Sequence, residues 1–244
     1  MKIALAFWGL TRSLKYTIKS IEENILKQLN SVINLEYTIF MHTYYFDNDY
    51  VNNRAKEVGL KLDFEEYKLL NPDFISIDNQ DEVKNTLGLE QYRSKKDPWN
   101  TGYATVDNFI CAMYSRKKLG QLILESGLKF DYVMFLRPDV KYLNPFSTGF
   151  FNMVNDHAIC IPRFGLYSNF NDRFCITNFK NAFLYANVFD HLLRYSLTHE
   201  LHSETVHYFL LHEQYKLRII YLPFYFNRIR ADGNEWIDCN KLIK

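Results

Sequence analysis

Residues 3–8 are apolar without interruption and stop at Gly9, the pattern of a strand buried on both faces of a parallel sheet. Over residues 13–29 the spacing changes to threes and fours, placing Leu14, Ile18, Ile21, Ile25 and Leu29 on one face of a predicted helix. Residues 37–41 are β-branched and aromatic and end at polar His42 and Thr43, which predicts a second strand. The chain therefore opens as a βαβ unit, with strand C-terminal ends meeting at the edge where ligands bind. Residues 52–60 read as a short helix and 74–77 as a strand. The charged stretch 78–100, ending in Asp97-Pro98-Trp99-Asn100, reads as a surface loop over the site. Helical period returns over 106–124, and 132–136 is a second buried strand, broken by Arg137-Pro138-Asp139. Residues 158–161 form another predicted strand, 182–197 and 203–215 helices, and 217–222 the last strand. The expected fold is α/β, a central and mostly parallel sheet flanked by helices. No internal repeat or linker divides residues 1–244, so one domain is expected.

Composition narrows the function classes. At 48% apolar and 23% charged, the 244-residue chain has the balance of a folded protein. A net charge of +1 supplies no general field for nucleic acid, so no polynucleotide partner is expected. Cys111, Cys160, Cys175 and Cys239 form no CxxC pair and read as reduced, buried thiols. No apolar run nears the ~18 residues that a membrane span needs, and no signal peptide is evident, so a cytoplasmic location is expected. P-loop and GxSxG motifs are absent from the sequence. His199-Glu200-Leu201-His202 spaces its histidines one residue too closely for a zinc-protease helix. His202, His207 and His212 recur every five residues, which turns successive side chains by about 140° on a helix, so they share no face.

The strongest chemical feature is the strand that delivers Arg137 and Asp139 at its carboxyl end. A departing diphosphate accumulates negative charge, which a divalent cation or arginines must meet. Asp139 could hold the cation and Arg137 could bond a phosphate through its planar fork; a surface turn closed by their ion pair is the plainer alternative.

Five blocks in order resemble GT-A-type nucleotide-sugar glycosyltransferases, including those of large DNA viruses and bacterial surface-glycan clusters. They are Ile3-Ala4-Leu5-Ala6-Phe7-Trp8-Gly9-Leu10-Thr11-Arg12-Ser13, Phe40-Met41-His42-Thr43, Asp131-Tyr132-Val133-Met134-Phe135-Leu136-Arg137-Pro138-Asp139, Asn171-Asp172-Arg173-Phe174 and His202-Ser203-Glu204. The resemblance implies a single-domain Rossmann-like fold, with a nucleotide-binding half of about residues 1–140 and an acceptor-binding half of about 141–244. It implies sugar transfer from a nucleotide-sugar, UDP-sugar favoured, to a glycan hydroxyl, in the cytoplasm (the host's for a viral member). Phe7, Gly9 and Arg12 would meet the nucleotide, His42 and Thr43 the base or ribose, Arg137 the diphosphate, and Asp139 a Mn²⁺ or Mg²⁺ ion. The family's Asp-x-Asp is here Arg137-Pro138-Asp139, and in place of a C-terminal histidine ligand the tail offers Arg228 and Arg230, which could replace part of the metal's charge. Under the metal reading, Asp139→Ala abolishes metal-dependent donor binding and leaves the fold intact.

Acceptor activation needs a base within reach of the attacking hydroxyl. Asp172 and Glu204 are the candidates. Ser203 reads as an N-cap, so a helix dipole would keep Glu204 ionised and suit it to orienting sugar, leaving Asp172 as base. A base carboxylate without a C-terminal histidine favours inversion of configuration. Two alternatives stay open: a nucleotide-sugar-binding protein of this fold without turnover, and a sheet that serves only assembly.

Overall fold

Continuous burial from Ile3 to Trp8 makes β1 (Lys2–Trp8) the spine of the sheet in a computed structural model, which describes residues 1–239. It leads into α1 (Leu14–Ile21), which continues through a π-helical turn, Glu22–Leu26, into α2 (Lys27–Asn30). There follow β2 (Glu36–Tyr45), a hairpin of β3 (Tyr50–Asn52) and β4 (Glu57–Leu60), then β5 (Phe74–Asn79), α3 (Gln80–Leu87) and the long α4 (Ala104–Glu125). The chain continues through β6 (Tyr132–Leu136), β7 (Val140–Tyr142), β8 (Ala158–Pro162) and β9 (Cys175–Asn178). After α5 (Phe179–Ala186) and α6 (Phe189–Ser196), α7 (Ser203–His207) passes into a π-helical segment, Tyr208–Gln214; β10 (Arg218–Leu222), β11 (Phe226–Ile229) and β12 (Glu235–Trp236) complete the described chain.

The main sheet has seven strands in the order β10-β8-β9-β6-β1-β2-β5. β1 pairs in parallel with β2 and β6, β2 with β5, and β10 with β8, whereas β9 runs antiparallel to both of its neighbours. The expected α/β architecture is the one observed, and the sheet draws strands from both the first and second halves of the chain. A smaller sheet, β12-β11-β7, stands beside it, with Arg228 opposite Val140. That pairing brings the C-terminal segment alongside the residue after Asp139.

One core packs Ala4, Ala6, Phe40 and Phe135 against α4 and α5; the other packs Ile3, Leu5, Phe7 and Met41 against Leu14, Ile21 and Ile25. Alternation along β1 thus feeds both layers, the reason the strand is apolar throughout. At Gly120 a Cβ would lie 2.8 Å from Cβ of Ala186, so α4 meets α5 through the missing side chain. The four cysteines are buried and free. Among the described residues no helix is long and apolar enough to cross a membrane.

Four local readings change, the first being that the strand read as the last, 217–222, is followed by β11 and β12. Residues 52–60 are not a helix: Lys56 and Gly59 have φ of 58° and +70°, which no right-handed helix accommodates. The stretch 78–100 contains α3, whose N-cap Asn79 accepts from the Asp81 and Glu82 amides at 2.9 and 3.3 Å and which ends at left-handed Gly88. The helix read over 182–197 is two helices, α5 and α6.

Candidate functional site

A cavity of about 510 Å³ opens at the C-terminal edge of β1, β2, β5 and β6, within the range of small-molecule sites. Trp8, Gly9 and Arg12 come from β1 and its loop; the β3–β4 hairpin covers them with Tyr50, Asn52 and Arg54. Gly9 has φ +94°, and its amide donates to the His42 carbonyl at 3.2 Å and to Ser115 Oγ at 3.0 Å, bringing bare backbone to the cavity wall.

Of the residues expected at the nucleotide, Gly9, Arg12 and Arg137 line the cavity, while Phe7, His42 and Thr43 are fully buried and do not. Phe7 belongs to the core. His42 supports the loop from beneath: Nδ1 lies 2.8 Å from Ser115 Oγ and Nε2 lies 3.2 Å from Asp78 Oδ2. Burial lowers its pKa despite Asp78, so the imidazole is held neutral.

Asp139 sits at the centre of the cationic wall. Its Oδ1 accepts from Arg137 Nε at 2.7 Å; its Oδ2 accepts from Arg137 Nη2 at 2.5 Å and from Arg12 Nη2 at 2.7 Å. Thr17 anchors the turn by donating to the Pro138 carbonyl at 2.6 Å, and the Ile229 amide donates to the Asp139 carbonyl at 2.9 Å. Burial opposes ionisation of Asp139, but Arg137 and Arg12 overcome it and hold the pKa well below the usual carboxylate range. The Arg12 pKa rises correspondingly: burial acts against its charge, and Asp139, Tyr50 and Glu57 outweigh burial. Arg12 Nη1 also donates to the Tyr50 hydroxyl.

These residues do not fit Mn²⁺ or Mg²⁺. Both oxygens of Asp139 are occupied by guanidinium groups and the residue is buried, so it turns no free carboxylate oxygen to the cavity for an ion. In this geometry Asp139 anchors Arg12 and Arg137.

Asp172 and Glu204 line the same cavity, so the fold does bring them together. Ser203 does not cap α7; its hydroxyl donates to Asp172 Oδ2, and His202 occupies the N-cap position. Glu204 Oε1 accepts from Arg173 Nη2 at 3.4 Å, and His202 Nδ1 stands 3.4 Å from Oε2 without hydrogen-bonding geometry. The two carboxylates titrate in opposite directions. Burial works against ionised Asp172, but Arg173, His207 and the Ser203 hydroxyl keep it low. Burial and then Asp172 push Glu204 upward, against the weaker pull of Arg173. The expected effect of the helix dipole on Glu204 is thus outweighed by desolvation and a like charge.

Two features have no counterpart in the sequence reading. Arg54 and Arg173 join Arg12, Arg137, Arg228 and Arg230 on the walls. A three-ring stack also borders the cavity: Tyr167 and His202 have centroids 3.9 Å apart, and His202 and Trp99 4.9 Å. Asp97 fixes the Trp99 loop by accepting from the Trp99, Thr101 and Tyr103 amides at 2.9, 2.5 and 3.1 Å. Asp97 two residues before Trp99 was the legible signal, an Asx turn; the stacking partners come from distant segments.

No protein-family model matches the chain, nor does any curated protein. Among solved structures it is similar to mouse xyloside xylosyltransferase 1 in its apo form, with 12% identity over 91% of this chain and 85% of that one, at a TM-score of 0.44. It is also similar to the glycosyltransferase GlyE of Streptococcus pneumoniae TIGR4, with 11% identity and a TM-score of 0.46, covering 91% of this chain and 45% of that one.

Proposed function

We propose that the protein transfers a sugar from a nucleoside-diphosphate sugar, a UDP-sugar by the sequence resemblance, to a hydroxyl of a glycan acceptor. The observation that carries this reading is one cavity lined by six arginines and by the buried carboxylates of Asp172 and Glu204, whose pKa values shift in opposite directions. Such a pair separates a permanently ionised group from one that exchanges a proton near neutrality.

In this reading Glu204 takes the proton of the acceptor hydroxyl as its oxygen attacks the anomeric carbon. The bond from that carbon to the diphosphate oxygen breaks, and its electron pair leaves with the diphosphate, whose growing charge the arginines meet. Asp172, held ionised by Arg173 and Ser203, stabilises positive charge developing on the sugar. A single displacement of this kind inverts configuration. The exposed Tyr167 ring, backed by His202, offers a flat apolar face for the acceptor's pyranose ring.

A thermal-shift panel of UDP-, GDP-, dTDP- and CMP-sugars, followed by measurement of nucleoside diphosphate release with mixed glycan acceptors, tests the proposal. A selective rise in Tm with acceptor-dependent release supports it. Binding without release reduces the protein to a nucleotide-sugar binder, and no shift with any donor removes the reading.

A further inference from the structure

We propose that this cavity neutralises the donor diphosphate with arginine in place of a divalent cation, Asp139 serving to hold Arg12 and Arg137 in position. The inference rests on the nucleotide-sugar reading above and deepens it.

Topology supplies the first argument. The turn after β6 carries Arg137 and Asp139, and β11 pairs with β7 so that Arg228 lies opposite Val140. Arg230, two residues beyond Arg228, lines the same cavity. Guanidinium groups from the C-terminal segment thus enter the space beside Asp139 where a cation would otherwise approach. Any divalent ion there would face Arg12, Arg137 and Arg228, and both oxygens of Asp139 are already taken by guanidinium groups.

Charge supplies the second. Asp139 pairs with Arg12 and Arg137, Asp238 holds Arg228 through bonds of 2.8 and 2.6 Å, and Arg173 faces Glu204. Arg54 and Arg230 enter no ion pair among the described residues. Their pKa values fall through burial first and then through neighbouring arginines, as expected where positive charge is in excess. Two guanidinium groups without an ion-pair partner among the described residues match the two ionised phosphates of a nucleotide-sugar.

Rigidity supplies the third. Arg137 lies over Trp8 at 5.3 Å, Arg54 over Trp99 at 5.5 Å and Arg230 over Trp236 at 5.0 Å. The indole faces orient planar forks, which preorganises N–H groups for phosphate oxygens. Arg12 Nε and Arg230 Nε are buried and have no hydrogen-bond partner among the described residues.

The test is calorimetric titration of the full-length protein with inorganic pyrophosphate and with UDP, in EDTA and at saturating free Mn²⁺ or Mg²⁺, with affinities corrected for metal–ligand complexes. The expected result is binding of both ligands in EDTA, changed less than threefold by either metal. Arg230→Ala and Arg54→Ala remove no ion pair and should retain the wild-type circular dichroism spectrum; each should weaken pyrophosphate about tenfold in EDTA. Metal enhancement beyond threefold, no binding in EDTA, or affinities unmoved by both substitutions overturns the arginine proposal. Binding of pyrophosphate as expected, together with no binding of UDP or any nucleotide-sugar, retains the arginine site and rejects the transferase reading instead.

Discussion

Arg12 and Asp139, 127 positions apart in the chain, meet at 2.7 Å inside the cavity wall, and Arg137 closes on the same carboxylate from two residues away. A carboxylate in that position is structural as much as functional. Removing it leaves two cations without their partner at a site where Asp139 is 1% exposed. Asp139→Ala should therefore lose about 3–5 kcal/mol of unfolding free energy, the usual cost of breaking a buried pair from one side. Urea denaturation monitored by tryptophan fluorescence measures it. A metal ligand with no structural duty would leave the midpoint near that of the unmodified protein. The sign with pH is fixed as well. The native pKa lies below the unfolded one, so the contribution is complete above the usual carboxylate range and is lost as pH falls through the native value.

Glu204 gives the opposite sign. Burial beside Asp172 raises it from an ordinary 4.5 to about 7. If it is the base, kcat/KM rises with pH through about 7 and levels off above, because only the ionised form accepts the acceptor's proton. Glu204→Gln should lose on the order of 10²–10⁴ in rate and abolish that limb of the profile. Stability moves the other way: the native state holds this proton more tightly than the unfolded chain, so stability falls as pH rises from about 4.5 to 7. In Glu204→Gln that decline is removed. A Glu204→Gln variant that keeps its rate would return the role of base to Asp172, and a profile still rising through neutrality would assign that titration to another group.

The parts of the fold that were legible in sequence are those decided locally. β1, α1 and β2 follow from a continuous apolar run and a helical period, which report burial on both faces and on one. Asn79 and Gly88 carried the cap chemistry of α3, although the polar surface between them gives little apolar period. β7, β9 and β11 are short strands recognisable only through their partners. The same distinction governs the site. Asp139, Asp172 and Glu204 were identifiable as cavity carboxylates from their blocks, yet their chemistry depends on Arg12, Ser203 and burial, which the fold supplies from far along the chain. His42 reads as a ligand at a strand end and is instead buried beneath the Gly9 loop by Ser115 and Asp78.

Gly120 tests the packing behind the site. In an open helix, Gly→Ala gains about 1 kcal/mol from backbone entropy. Here the new methyl would stand 2.8 Å from Cβ of Ala186, and α4 or α5 must move. Gly120→Ala should accordingly lower stability by about 1–3 kcal/mol, reversing the helix-propensity expectation. Differential scanning calorimetry reads the sign directly. A raised Tm would mean that the two helices separate freely at this contact.

Tyr167 distinguishes donor from acceptor chemistry. Its backbone pairs with Phe170 across Ser168 and Asn169, whose φ values of 47° and 59° form a tight turn, and its ring is stacked on His202 yet 55% exposed. A ring held so firmly and still open to solvent is suited to meeting a ligand face. The arginines proposed to meet the diphosphate, Arg12, Arg54, Arg137, Arg228 and Arg230, lie on other elements, so Tyr167→Ala should leave the KM for donor within about twofold. Loss of one aromatic contact, worth about 0.5–1.5 kcal/mol, should raise the acceptor KM by roughly 2- to 12-fold. Initial-rate measurements with each substrate varied in turn separate the two constants. An unchanged acceptor KM with a weakened donor would place the stack on the nucleotide side of the cavity, and Tyr167→Phe, which preserves the ring, should restore the original values if stacking is the cause.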